Sequence, residues 1–169
     1  MKRIISLCTA AVLCLSLLSG CGPKESGKPE EKQVDLAAFA QTVQSEHEFA
    51  SLEKADPADE ELGAIMLENA YPGLKDMELE QAEIYLPMIS FSGGELALVQ
   101  AKSPEDAAKV KSIFQARVEA KSEDGPGNYP EEVEMWKKSA RVADHGSYVM
   151  LVNHADADAI VGEFDALFA

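Results

Sequence analysis

Over residues 35–54 the apolar side chains Leu36, Phe39, Ala40, Val43 and Ala50 recur at helical spacing between glutamates and glutamines, which predicts a first helix. Asp35 supplies an N-cap carboxylate, and Pro57 stands just past the end as a stop. A second, shorter helix is expected over residues 59–70, with Leu62, Ile65 and Met66 facing inward and Tyr71-Pro72-Gly73 closing it. The period then changes. Residues 83–91 are rich in Ile, Tyr, Leu and Phe, Ser92-Gly93-Gly94-Glu95 interrupts, and residues 96–101 form another apolar run, so a β-hairpin is expected there. Pro87 cannot donate to a strand ladder, which predicts that its strand lies at a sheet edge or is bulged.

Ser103-Pro104-Glu105-Asp106 combines an N-cap serine, a proline at the first helical position and acids where the helix dipole favours them. The helix it opens is expected to reach about residue 121, packing Ala107, Val110, Ile113, Phe114 and Val118, and to break at Asp124-Gly125-Pro126-Gly127. Pro130 starts a short helix through Val133, Trp136 and Ala140. Val142-Ala143, the turn Asp144-His145-Gly146-Ser147 and residues 148–152 form a second hairpin, and residues 156–168 a closing helix. The order is α-α-β-β-α-α-β-β-α. The expected fold class is α+β: an antiparallel sheet built from two β-hairpins with helices on one face. A hairpin followed by a helix occurs twice, each helix carrying Asp-Ala and a later Phe, Asp106-Ala107 with Phe114 and Asp156-Ala157 with Phe164.

Ahead of this domain, Lys2 and Arg3 precede an almost unbroken apolar run over residues 4–18, which ends in Leu18-Ser19-Gly20-Cys21. That sequence resembles the lipobox of bacterial lipoproteins, and the run is shorter than the roughly 20 apolar residues of a spanning helix. The resemblance implies that residues 1–20 are a signal peptide removed after Gly20, with Leu18, Ser19 and Gly20 recognised by the peptidase. It also implies that Cys21 is lipidated and holds the protein at the outer face of the bacterial plasma membrane. One acyl chain binds membranes only marginally, whereas two or more give durable anchoring. Cys8 and Cys14 would leave with the signal peptide, so the mature chain would hold no free thiol, disulfide or cysteine metal site. Residues 22–33 contain no large apolar side chain and mix Pro, Gly and both charges, which together with Cys21 reads as a flexible tether over 21–33. As a coil those 12 residues would span about 19 Å root-mean-square. Residues 34–169 suit a single domain with one core.

Of the 15 basic and 30 acidic residues in the chain, 5 and 3 lie within residues 1–33, which leaves 10 and 27, a net charge of −17, for the domain. Nucleic acid is excluded as a partner, because phosphate binding draws on Lys and Arg clusters that this domain lacks. Anionic lipid headgroups would repel it. The charge either maintains solubility or attracts a cationic partner or calcium.

Glu95-Leu96-Ala97-Leu98-Val99 before the capped helix, then Asn128-Tyr129-Pro130, then Gly146-Ser147-Tyr148-Val149-Met150-Leu151-Val152 resemble, in order and spacing, the lipoproteins grouped as domain of unknown function 4358. Roughly residues 75–168 take part. The resemblance implies a surface lipoprotein of gut-type Gram-positive bacteria, of a kind often encoded near membrane-bound O-acyltransferases that modify cell-surface polymers. It brings no catalytic residues.

Chemistry in the residues themselves is sparse. His154, Asp156 and Asp158 alternate donors at a strand-to-helix junction, which makes them the best metal candidate, but Ile160 and Val161 stand where an EF-hand loop needs a donor and glycine. The structural alternative makes Asp156 an N-cap and Asp158 a first-turn acid. His47 reads as an edge histidine satisfied by a neighbour. Asp144, His145 and Ser147 crowd into one turn, where they read as turn residues rather than a hydrolase triad. Glu119, Glu123, Glu131, Glu132 and Glu134 offer carboxylate pairs of the kind used in glycoside hydrolysis, without a setting that marks any of them. Tyr129 in the 124–130 loop, with Trp136 beside it, is the candidate partner or ligand surface, although a lone tryptophan also serves as a core anchor.

The expected function is therefore a non-catalytic, membrane-anchored binding or accessory module of a cell-envelope system, with no cofactor. The alternatives are a cation, small-ligand or glycan scavenger, and a small carboxylate-dependent envelope hydrolase. The address can be checked directly: Cys21→Ala should leave the protein unlipidated and uncleaved by the lipoprotein peptidase. Mass spectrometry and detergent partitioning identical to those of the unaltered protein would contradict it.

Overall fold

Two strands are buried along their whole length, β3 (Glu95–Ala101) and β5 (Tyr148–Asn153), and the rest of the domain is arranged to cover them. The computed structural model describes residues 32–56, 59, 61–88, 94–123 and 129–169, and Glu31–Ala169 forms one compact unit. The signal-peptide and lipidation residues Leu18, Ser19, Gly20 and Cys21 lie outside the described residues, as do the Ser92-Gly93 and 124–128 turns.

The element order is α1 (Leu36–Glu46), β1 (Leu52–Lys54), α2 (Gly63–Ala70), a 3₁₀ turn (Leu74–Asp76), β2 (Leu79–Pro87), β3, α3 (Pro104–Ser122), α4 (Pro130–Ser139), β4 (Ala140–His145), β5 and α5 (Ala157–Ala166). All five strands join one antiparallel sheet in the order β1-β2-β3-β5-β4. This is the expected α+β class and order, with one short strand and one 3₁₀ turn added. The two hairpins stand side by side, with β3 paired to β5 from Glu95 opposite Asn153 to Gln100 opposite Tyr148.

The helices lie on both faces of the sheet, not on one. Ala97, Val99, Val149 and Leu151 pack with Leu67 and Ala70 of α2, Val110 and Phe114 of α3, and Trp136 of α4. Their neighbours Leu96, Leu98, Met150 and Val152 point the other way, to Leu36, Phe39 and Val43 of α1 and Ile160 and Phe164 of α5. Side chains alternate across a strand, so a strand covered on both faces must be apolar at every position, as Leu96-Ala97-Leu98-Val99 and Val149-Met150-Leu151-Val152 are. At about 25 cal/mol per Å² of apolar surface removed from water, this two-sided burial is the main source of stability. The two hairpin–helix units send α3 and α5 to opposite faces and so have opposite hands, which sets their likeness in sequence apart from a duplicated geometry.

Local differences have local causes. The first helix ends at Glu46, where His47 turns to extended backbone, and Leu52–Lys54 pairs with the end of β2. β2 is therefore an inner strand. Pro87 is its last residue, opposite Leu52, and the bulge in the strand falls at the other end, between Leu79 and Gln81. On α2 the inward residues are Gly63, Leu67 and Ala70, while Leu62 and Ile65 are exposed. Asp59 accepts the Glu61 and Leu62 N–H groups ahead of α2, and these bonds hold its carboxyl below the usual range. Gly63 then packs so close to the Asp56 carbonyl that a Cβ would lie 1.9 Å from that oxygen. The Ser103 cap is as expected, its hydroxyl accepting the Asp106 N–H at 3.1 Å. The second hairpin is tighter than expected, turning on Gly146-Ser147 alone with Gly146 at φ 58°.

The N-terminal edge of α1 is tied to the sheet by side chains. Gln81 Nε2 donates to the Val34 carbonyl and to Gln100 Oε1, Gln81 Oε1 accepts the Leu36 N–H, and the Tyr148 hydroxyl accepts the Val34 N–H. Among the described residues no helix is long and apolar enough to cross a membrane.

Candidate functional site

At the end of the sheet where β3 begins and β5 finishes, the face covered by α2, α3 and α4 carries charge. Glu95 follows the alternation of Ala97 and Val99 onto that face and is buried. On α3 the buried stripe Ala107, Val110, Phe114 continues at helical spacing into Arg117 and Lys121. On α4 the buried residues are Glu132, Val133 and Trp136.

These side chains form two ion pairs. Arg117 Nε and Nη2 donate to Glu95 Oε1 and Oε2 at 3.1 and 2.8 Å, a forked contact, and the Tyr71 hydroxyl donates to the same Oε1. The Arg117 guanidinium also lies over the rings of Tyr71 and Trp136, at 5.9 and 5.5 Å from their centroids. Lys121 Nζ donates to Glu132 Oε1 at 2.9 Å. The other oxygen of that carboxylate, Oε2, is buried with no hydrogen-bond partner among the described residues. Burial lifts the Tyr71 phenol well above its ordinary range, and the negative charge of Glu95 adds to the effect. Burial works against the charge on Arg117, but Glu95 outweighs it, and the guanidinium is held above its usual value.

Beside this cluster is a cavity of about 320 Å³, within the size range of small-molecule sites. Met66 and Asn69 of α2, Leu86 and Met88 at the end of β2, and Trp136 form its walls together with the charged groups. Among the described residues the large apolar side chains exposed to solvent are Leu62, Ile65, Met88 and Tyr129. Of these, Met88 lines the cavity, while Leu62 is the N-cap of α2, Ile65 lies in its first turn and Tyr129 is the N-cap of α4. The site thus combines paired charges with apolar walls.

Of the expected surface pair, Trp136 is 2% exposed and forms both core and cavity wall, whereas Tyr129 is exposed at the N-cap of α4. Of the five glutamates singled out, Glu132 alone is buried; Glu119, Glu123, Glu131 and Glu134 are exposed. The turn residues diverge, with Asp144 bonded to Lys111 and His145 to Asp165, while Ser147 is buried. Of the metal candidates, Asp158 is drawn away to Arg141 at 2.7 Å, and His47 takes its place beside His154 and Asp156. Glu95, Arg117 and Lys121 were missed, although Arg117 and Lys121 stand at core spacing on an otherwise apolar stripe.

The fold and this site define an α+β domain with a charge-lined cavity at one end of its sheet. The chain belongs to the family described as Domain of unknown function (DUF4358), whose match covers residues 55–154 and so takes in Glu95, Arg117, Lys121, Glu132 and Trp136. No curated protein and no solved structure matches the chain.

The buried phenol sets a pH dependence. Its folded pKa lies above the unfolded value near 10, so the stabilisation it contributes is whole below about pH 10 and is lost as pH rises toward the folded value. Tyr71→Phe should lose about 1.5–3 kcal/mol at neutral pH, the worth of a hydrogen bond to a charged acceptor, and should show a shallower decline between about pH 10 and 11. Urea unfolding of both proteins across that range checks it, and parallel alkaline limbs would contradict it.

Proposed function

We propose that this protein is a lipid-anchored, extracytoplasmic binding module that docks a segment of an envelope protein at the Glu95–Arg117–Glu132 cavity, and that it acts by binding rather than by catalysis. The observation that carries this reading is Glu132 Oε2. A buried carboxylate oxygen without a donor costs free energy, about 1–3 kcal/mol and more for a charged group, and a ligand that brings a donor recovers it. The exposed Met88 beside Met66 and Leu86 in the cavity lining supports a partner with apolar side chains, because exposed apolar groups at a cavity mark interaction surfaces. The net −17 of residues 34–169 supports a basic segment, which such a field steers toward the domain. A lysine or arginine side chain entering between Trp136 and Met88 would meet all three requirements. The lipobox resemblance at Leu18-Ser19-Gly20-Cys21 supports the membrane address, and residues 22–33 supply the reach.

The cavity volume supports a second reading, in which the occupant is a small amine- or hydroxyl-bearing ligand such as a cell-wall fragment. Crosslinking of the full chain in its native membrane, followed by purification in mild detergent and identification of partners by mass, separates the two. The expected result is a near-stoichiometric envelope protein whose recovery falls sharply with Met88→Asp and with Glu132→Gln. Recovery of the protein alone would contradict the docking reading and favour the small ligand.

A further inference from the structure

On the opposite face of the same sheet end, a second constellation joins His47 to two residues more than 100 positions away. His47 is the C-cap of α1, His154 follows the last residue of β5, and Asp156 caps α5. His47 Nδ1 lies 3.2 Å from Asp156 Oδ2, His154 Nδ1 lies 3.9 Å from the same oxygen, and the three ligand atoms are all within 4.8 Å of one another. We infer that His47 Nδ1, His154 Nδ1 and Asp156 Oδ2 form a binding site for a borderline divalent metal of the zinc class, with one coordination position left open. His154 is the last residue of the family match and the other two lie beyond it, so the site is not a property that the match carries.

The outer hydrogen bonds are what distinguish this cluster from a chance meeting of polar groups. His154 Nε2 faces the Glu48 carbonyl at 3.1 Å, and a carbonyl only accepts, so the ring proton sits on Nε2. His154 Nδ1 in turn accepts the Asp156 N–H, which confirms that this nitrogen presents a lone pair. His47 Nε2 faces Glu163 Oε1 at 3.1 Å and Nδ1 faces Asp156, so a proton kept on the far nitrogen toward Glu163 leaves Nδ1 as the nitrogen that can turn to a metal. Each ring is thus held as metal-ligating histidines are held, with Nε2–H on a carboxylate or carbonyl and Nδ1 turned to the centre. Without a metal, His47 Nδ1 must carry a second proton to meet Asp156. A divalent ion takes the position of that proton, which leaves for solvent, and the bond from Asp156 N–H to His154 Nδ1 is given up for the metal–nitrogen bond.

The distances and surroundings suit this. Tetrahedral zinc bonds of about 2.0–2.2 Å place neighbouring ligand atoms about 3.3–3.6 Å apart, so ligand atoms already within 4.8 Å of one another have only a short way to draw in on a metal. Both histidine side chains are 11% exposed, and the Phe49 ring packs on His154 at 4.4 Å, which fixes that ring and limits water. Two imidazoles and one carboxylate favour zinc, nickel or copper over calcium, whose sites are built from oxygen.

The test is zinc titration of the full chain in mild detergent, read by calorimetry and by thermal unfolding, with cobalt substitution as a spectroscopic probe. One zinc per chain is expected, unaffected by excess calcium, with a rise in melting temperature and visible cobalt bands of a four-coordinate site. His154→Gln and Asp156→Asn should abolish all three, and Glu163→Gln should weaken zinc about 10-fold by loosening His47. Because Asp156 is 58% exposed, Asp156→Asn tests the site without threatening the fold. Zinc binding that survives His154→Gln and Asp156→Asn, competition by calcium, or no stoichiometric binding would overturn the inference.

Discussion

Covering both faces of β3 and β5 is the constraint on which the rest of the structure depends. Two strands of unbroken apolar sequence cannot leave either face to water, so α2, α3 and α4 must close one side and α1 and α5 the other. The chain visits both faces in turn, and the N-terminal segment that supplies α1 is as much a part of the core as the hairpins. The Gln81 and Tyr148 bonds to Val34 and Leu36 fix where that segment enters.

The same constraint explains why the candidate sites are where they are. Apolar filling runs out at the sheet end where Glu95 opposes Asn153, and polar groups appear there on both faces. On the α3 face they are paired charges around a cavity, at a burial where losing either partner leaves an uncompensated ion and costs about 3–5 kcal/mol. A group this expensive to keep, in a domain that has ample apolar material, is more readily understood as a binding device than as a source of stability. On the α1 face the two histidines stitch α1 to the start of α5. The two constellations share a sheet end but no residue, so their chemistry is independent.

Much of the architecture was legible in residues 103–106 and in the two apolar hairpins, because capping and strand runs are local signals. The face assignment was legible too and was misread: four apolar residues in succession in β3 and in β5 require cover on both sides, whereas one-sided strands alternate. β1 was beyond reach, since three residues, Leu52–Lys54, acquire strand character only by pairing with the end of β2. Ala50 prolonged the helical period past His47, where the backbone had already turned. At the site, Trp136 and Glu132 were named but not joined. Glu95, Arg117 and Lys121 come together only when α3 crosses the end of β3, although two basic residues continuing the Val110–Phe114 stripe marked that face. His47 was set aside as an edge histidine because its partners lie more than 100 positions away.

The chain has one tryptophan, and it lines the cavity. The most direct test of the central claim is therefore Trp136 emission from the full chain in mild detergent, titrated with a short alkylammonium salt and with the alcohol of the same length at constant ionic strength. If Glu132 Oε2 is an open acceptor in an accessible cavity, the ammonium should give a saturable change that the alcohol reproduces only weakly and that Glu132→Gln removes. A change identical for both probes, or none at all, would contradict the assignment of this cavity as the binding site.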